Sequence, residues 1–153
     1  MHRTSSAPLA LTLVLLLTAC GGGGGPTDPG GGGGGNNGGN SGGPTVKADP
    51  SFANDVMEVF DRRGCTASSC HGGGQGGLTM SSASTAYANL VNVQSPNSGE
   101  VRVIPGNAND SYLVKKLEGR QAVGARMPNG GSPLDATDLA NIKNWINQGA
   151  KNN

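Results

Sequence analysis

Cys65 and Cys70, with His71 directly after the second thiol, form a cluster whose residue types and spacing can do chemistry. Three chemistries use such a set. Two thiols can add across the two vinyl groups of a haem while the adjoining imidazole binds its iron. The same thiols, with four residues between them, can close a disulfide. Thiolates and imidazole can also bind zinc, but the only other histidine available as a fourth ligand is His2, at the extreme amino terminus. Haem attachment ordinarily has the spacing C-x2-C-H, and this chain has C-x4-C-H. His71 favours haem, because a disulfide loop has no use for it.

Four helical segments are available to position this cluster. Asp49-Pro50 is a helix start, followed by Phe52, Val56, Val59 and Phe60 at helical spacing and a stop at Gly64, immediately before Cys65. A glycine-rich stretch, Gly72 to Gly77, separates the motif from a weaker helical face (Ala86, Tyr87, Leu90, Val91) within Ser81 to Val93. Pro96 to Gly106 reads as an extended connector. Asp110 or Ser111 can cap a third helix bearing Leu113, Val114 and Leu117 and ending at Gly119. Residues 119–133 read as loop. Asp135, with Asp138 in the position of a capping-box acid, opens a last helix whose apolar face is Leu139, Ile142, Trp145 and Ile146. The expected fold is an all-α module, with connections longer than the roughly 2 to 8 residues usual in helix bundles.

The amino terminus reads as an address. His2 and Arg3 precede an apolar run from Leu9 that is too short to span a membrane comfortably. It ends in Leu17-Thr18-Ala19-Cys20, which resembles the lipobox of bacterial lipoproteins. The resemblance implies a signal peptide over 1–19, cleavage before Cys20, and acylation of its thiol. Two or more acyl chains would anchor the protein stably, at about 0.8 kcal/mol per buried methylene. Residues 20–43 comprise this cysteine and a Gly-rich tether that cannot pack a core. As a random coil the tether reaches roughly 26 Å. Residues 44–153 are expected to form the folded module.

Several short pieces then fall in a telling order: Tyr87-Ala-Asn-Leu90, Val103-Ile104-Pro105-Gly106, Ser111-Tyr112-Leu113, Gly124-Ala-Arg126-Met127-Pro128 and Trp145-Ile146. Together with the Cys-His motif they resemble the small class I-like cytochrome c domains of the planctomycete type, over essentially the whole folded part. The resemblance implies a helical domain wrapped around one covalently attached haem c. Cys65 and Cys70 would carry the haem, and His71 and Met127 would be the axial ligands. First and last helices would pack across each other beside the haem. The longer spacer departs from the pattern, although some multihaem cytochromes have similar ones.

Met80 could also reach the iron, lying nine residues after His71, but it follows the glycine-rich stretch closely, and Met127 is preferred. Met57 is read as a packing residue, as is Trp145, while Phe60 and Tyr112 are read as walls of the haem site. Arg126 and Asn129 are read as solvated loop in preference to propionate partners or braces for the Met127 loop.

Composition agrees with a cofactor-filled centre. Fifteen of the 28 glycines lie between Gly21 and Gly43, and all five aromatic residues lie beyond them, in a segment long enough for one small domain. Five aromatics are few for such a domain, and a large apolar macrocycle would replace the missing side chains; without it the module should fold poorly. A net charge of +1 gives no footprint for nucleic acid. The expected function is electron transfer, the iron cycling between ferrous and ferric, without enzyme activity. Expected partners are redox proteins and, through Cys20, a membrane, the chain being monomeric. The site of action would be the periplasm or cell surface, with Gly21 after Cys20 favouring the outer membrane. The rival expectation is a haem-free surface lipoprotein domain stapled by a Cys65–Cys70 disulfide and acting in binding or assembly.

Overall fold

Ser51 opens the first helix in the computed structural model, which describes residues 44–153. The expected signal peptide, Cys20 and the expected Gly-rich tether lie outside the described residues. The Ser51 hydroxyl accepts from the Asn54 N–H at 3.3 Å, and the Asp55 carboxylate accepts from the Ser51 N–H at 2.8 Å. Asp49, the expected cap, instead pairs with Lys151 at 3.5 Å. The helix therefore begins later, with a π-helical turn over Phe52–Val56 that runs into α1, Met57–Arg62. Asn153 satisfies the free N–H groups of this first turn, its side-chain oxygen accepting from Phe52 and its backbone carbonyl from Ala53. Gly64, at φ +72°, ends the element where expected.

Three further α-helices follow: α2, Ala83–Leu90; α3, Tyr112–Glu118; and α4, Ala136–Asn147. Ser82 caps α2 by accepting from the Thr85 N–H. This helix stops short of its expected end because Val91 turns extended and bridges to Val103; the expected connector, Pro96 to Gly106, holds isolated bridges at Val101, Val103 and Ile104 between turns. Gly119, at φ +78°, closes α3. Asp135 caps α4 by accepting from the Asp138 N–H at 2.9 Å. Among the described residues the fold is helical, with isolated bridges and no strand.

The first and last helices pack on each other through Phe52, Val56, Ile142, Trp145 and Ile146, all fully or almost fully buried. Burying each such side chain contributes about 1.5 to 3 kcal/mol. Phe52 stacks against Trp145 with ring centroids 4.8 Å apart and meets Tyr87 edge-on at 5.3 Å. The polar tips of Tyr87 and Trp145 find the carbonyls of Ala150 and Lys151. Met57 is buried in the same core.

Asp138 departs from its expected capping role. Its carboxylate is fully buried, with Oδ1 2.6 Å from Arg62 Nη2 and Oδ2 4.0 Å from Arg63 Nε. The pair ties the end of α1 to the start of α4. This fixes the level at which the segment after Arg63 leaves the helix, and that segment is the Cys-His motif.

Candidate functional site

The motif starts one residue after the glycine that ends α1. The Cys65 N–H donates to the Phe60 carbonyl at 2.8 Å, holding the first thiol against the last turn of α1. The His71 N–H donates to the Cys65 carbonyl at 3.0 Å, which draws the two ends of the motif together. Both cysteines are free thiols; Cys65 is half-buried and Cys70 exposed. Burial pushes the Cys65 thiol up to about 11, with Cys70 adding to the rise, so at neutral pH it keeps its proton. A protonated thiol is a poor metal ligand and a poor nucleophile for disulfide exchange. Among the described residues, no three His, Cys, Asp or Glu side chains converge as a metal-holding group.

His71 lies on a short 3-10 turn, His71–Gly73, and its Nδ1 is 2.8 Å from the carbonyl of Gln75. A carbonyl only accepts, so Nδ1 carries the proton and the Nε2 lone pair is available as a ligand. An oriented imidazole of this kind is what metal-binding histidines usually have.

These groups face a cavity of about 720 Å³, within the roughly 300 to 1,000 Å³ of pockets that hold small molecules and cofactors. Cys65, Cys70, His71 and Met127 all line it, and so does Met80. Phe60 and Tyr112 form part of its wall, as expected for them. Trp145 is absent from the wall and belongs to the core behind it. The two methionines arrive differently. Met80 is almost fully buried, and its N–H donates to the carbonyl of His71 itself at 2.8 Å. Met127 is half-buried on a separate loop held by α3, where its N–H donates to the Lys116 carbonyl at 2.8 Å.

Arg126 is more than solvated loop. Its guanidinium reaches the carbonyls of Met127 and Gly131, at 3.5 and 2.8 Å, so it braces the turn that carries Met127. Asn129 is exposed on the cavity rim.

Two wall residues escape the sequence reading. Arg102 is 6 % exposed, donates to the carbonyls of Asn89 and Gly77 at 2.8 and 2.6 Å, and has no carboxylate partner among the described residues. Burial lowers its affinity for its proton, the direction expected of a desolvated cation. Lys116, also on the wall, bonds only to backbone carbonyls, and burial lowers it too. Arg63 is the third charged side chain on the wall, so all the charge there is positive. The sequence signal for Arg102 is its place between Val101 and Val103, in an apolar piece that would otherwise be buried throughout.

The arrangement offers one large, largely apolar recess with two thiols, an oriented imidazole, two thioethers and a positive lining. None of the described helices is long and apolar enough to cross a membrane. Comparison with protein-family models, curated proteins and solved structures finds no match to this chain.

Proposed function

We propose that this chain is a membrane-tethered, single-haem electron carrier of the c type, exported to the periplasm or cell surface. Convergence carries the reading: Cys65, Cys70, His71 and Met127, scattered over more than sixty positions of sequence, line one cavity. Haem supplies one-electron ferrous–ferric exchange when bound; the chain supplies attachment, orientation and shielding. Cys65 and Cys70 would hold the haem covalently as thioethers, each S–H adding across one vinyl double bond so that no group leaves and no electrons are exchanged. His71 would offer Nε2 to the iron, kept in that tautomer by the Gln75 carbonyl. Met127 would be the second ligand. An imidazole–thioether pair favours the reduced metal and raises the potential above that of two imidazoles. With His71 and Met127 both committed to holding the haem, the chain would carry electrons and would not turn over a substrate.

Arg102 supports the reading independently. Arg102 is 6 % exposed and has no carboxylate neighbour among the described residues, and a haem propionate is an anion that would pair with it. The membrane tether rests on the lipobox-like run ending at Cys20. The test is to produce the chain in cells that mature c-type cytochromes and look for a Soret band, and for haem staining that survives denaturation. Covalent haem is the expected result. A chain without haem, with Cys65 and Cys70 oxidised to each other, would instead be the disulfide-stapled surface domain.

A further inference from the structure

The four-residue spacer raises a geometric problem, on which the glycines after His71 bear. Two vinyl groups lie a fixed distance apart on one macrocycle, so extra residues between the thiols must be taken up away from the line joining them. The backbone shows where they go. The Ala67 carbonyl accepts from both Cys70 and Gly72, at 2.8 and 3.0 Å, while the His71 N–H closes onto Cys65. The Thr66 hydroxyl donates to Asp61 at 2.6 Å, fixing the outgoing limb on α1. The spacer thus arches back over the residues that follow the motif.

It comes to rest on Gly72 and Gly73. A Cβ on Gly72 would stand 2.0 Å from the Thr66 carbonyl oxygen and 2.9 Å from that of Ala67. A Cβ on Gly73 would stand 2.0 Å from the Ser68 carbonyl oxygen. Neither glycine has a positive φ, whereas Gly74, Gly76 and Gly77 all do. Gly72 and Gly73 are therefore required for space, not for backbone freedom. The obstructing atoms are backbone, which cannot rotate aside.

We propose that Gly72 and Gly73 are positioning residues for double thioether attachment. Their missing side chains let the lengthened spacer fold back, so that Cys65 and Cys70 face the same cavity as they would with a two-residue spacer. The proposal rests on the haem reading above and adds to it a pairing of spacer length with the residues after the histidine.

The experiment compares the chain as matured in haem-attaching cells with Gly72→Ala, with a chain lacking Thr66 and Ala67, and with the two changes combined. Mass spectrometry of haem peptides counts one or two thioether links, and the reduced haemochrome band shifts to the red when one vinyl survives. The unchanged chain is expected to carry two links. In Gly72→Ala the doubly linked fraction should fall by roughly tenfold or more, a loss of the size overpacking produces. Removing Thr66 and Ala67 takes away both obstructing carbonyls, so the combined variant should regain double attachment even where Gly72→Ala alone fails to accumulate. Normal double attachment in Gly72→Ala overturns the proposal, and so does a combined variant that regains none. Absence of haem from the unchanged chain overturns the haem reading itself, a separate and recognisable failure.

Discussion

Lys116 holds Met127 from both ends of its own residue. Its backbone carbonyl accepts the Met127 N–H at 2.8 Å, and its ammonium reaches the carbonyl of Ala125 at 2.5 Å and that of Val123 at 3.4 Å. Tyr112, one turn earlier on α3, donates its hydroxyl to the same Val123 carbonyl. The loop that would present a thioether to iron is thus laced to one helix.

Removing the ammonium should loosen that loop without unfolding the helix. Lys116→Met keeps the aliphatic stem and loses the ammonium's hydrogen bonds to the Ala125 and Val123 carbonyls. The expected outcome is a weakened far-red band of methionine-ligated ferric haem with little change in Tm. Lys116→Arg, which can still donate to the carbonyls, should restore the band. An undiminished band in Lys116→Met would mean that the loop needs no clasp.

The two methionines on the cavity wall separate in the same assay. Met127→Ala should abolish the far-red band and lower the potential, because the thioether favours ferrous iron. Met80→Ala, which empties an almost fully buried site, should destabilise the fold by about 2 to 5 kcal/mol while leaving the band in place. Loss of the band in Met80→Ala with its retention in Met127→Ala would reverse the ligand assignment.

Local signals in the chain account for much of the architecture and less of the site. Asp135 caps its helix as its position before an apolar repeat suggests, and Gly64 and Gly119 stop theirs with positive φ. Phe52 and Trp145 share a core because each lies on the apolar stripe of its own helix. Ser51 replaces Asp49 as the cap because its hydroxyl accepts from the Asn54 N–H while the Asp55 carboxylate accepts from the Ser51 N–H, a reciprocal pair that begins the helix two residues later. The burial of Asp138 and Arg102 is a product of partners remote in sequence, and no window of neighbouring residues contains it. Gly72 and Gly73 belong to a glycine-rich stretch whose composition suggests mere flexibility, and only the returning spacer distinguishes them from Gly74 and Gly76.

Arg102 makes an electrostatic prediction. A positive charge beside the cavity opposes oxidation of anything bound there, and Arg102→Met removes that charge while filling much of its volume. The reduction potential should fall, by roughly 60 mV for each tenfold change in the preference between the two oxidation states. Haem should remain covalently attached, since the thiols are untouched. A potential unchanged by Arg102→Met would place the propionates elsewhere.

The bond between Arg62 and Asp138 should break asymmetrically. Arg62→Ala strands a fully buried carboxylate with only the Arg63 guanidinium 4.0 Å away, a loss of about 3 to 5 kcal/mol. Asp138→Ala leaves two guanidiniums that both reach solvent, and Arg62 retains Glu58 at 2.8 Å. It should cost less. Urea midpoints of the two variants test the order, and equal losses would mean that the Asp138 carboxylate has found another partner.

Acid should weaken the fold through three carboxylates held below their ordinary range. Burial raises Asp55, but the Lys47 ammonium at 2.5 Å and the Ser51 N–H outweigh it. Burial likewise raises Glu118, and Lys143 and Arg120, at 3.0 and 2.6 Å, outweigh it. Asp135 is lowered chiefly by the Asp138 N–H that it accepts as a helix cap. Each binds its proton less readily folded than unfolded, so the unfolded chain takes up more protons as acid is added. The contribution to stability is complete above the ordinary carboxylate range, about pH 4 to 4.5, and is lost as pH falls through the lower folded values. The Tm should therefore decline steadily from pH 5 to pH 3, and Asp55→Asn should flatten part of that decline by removing one of the three protonations. A Tm that holds constant over this interval, or an Asp55→Asn slope as steep as that of the unchanged chain, would show that these pairs do not couple folding to protons.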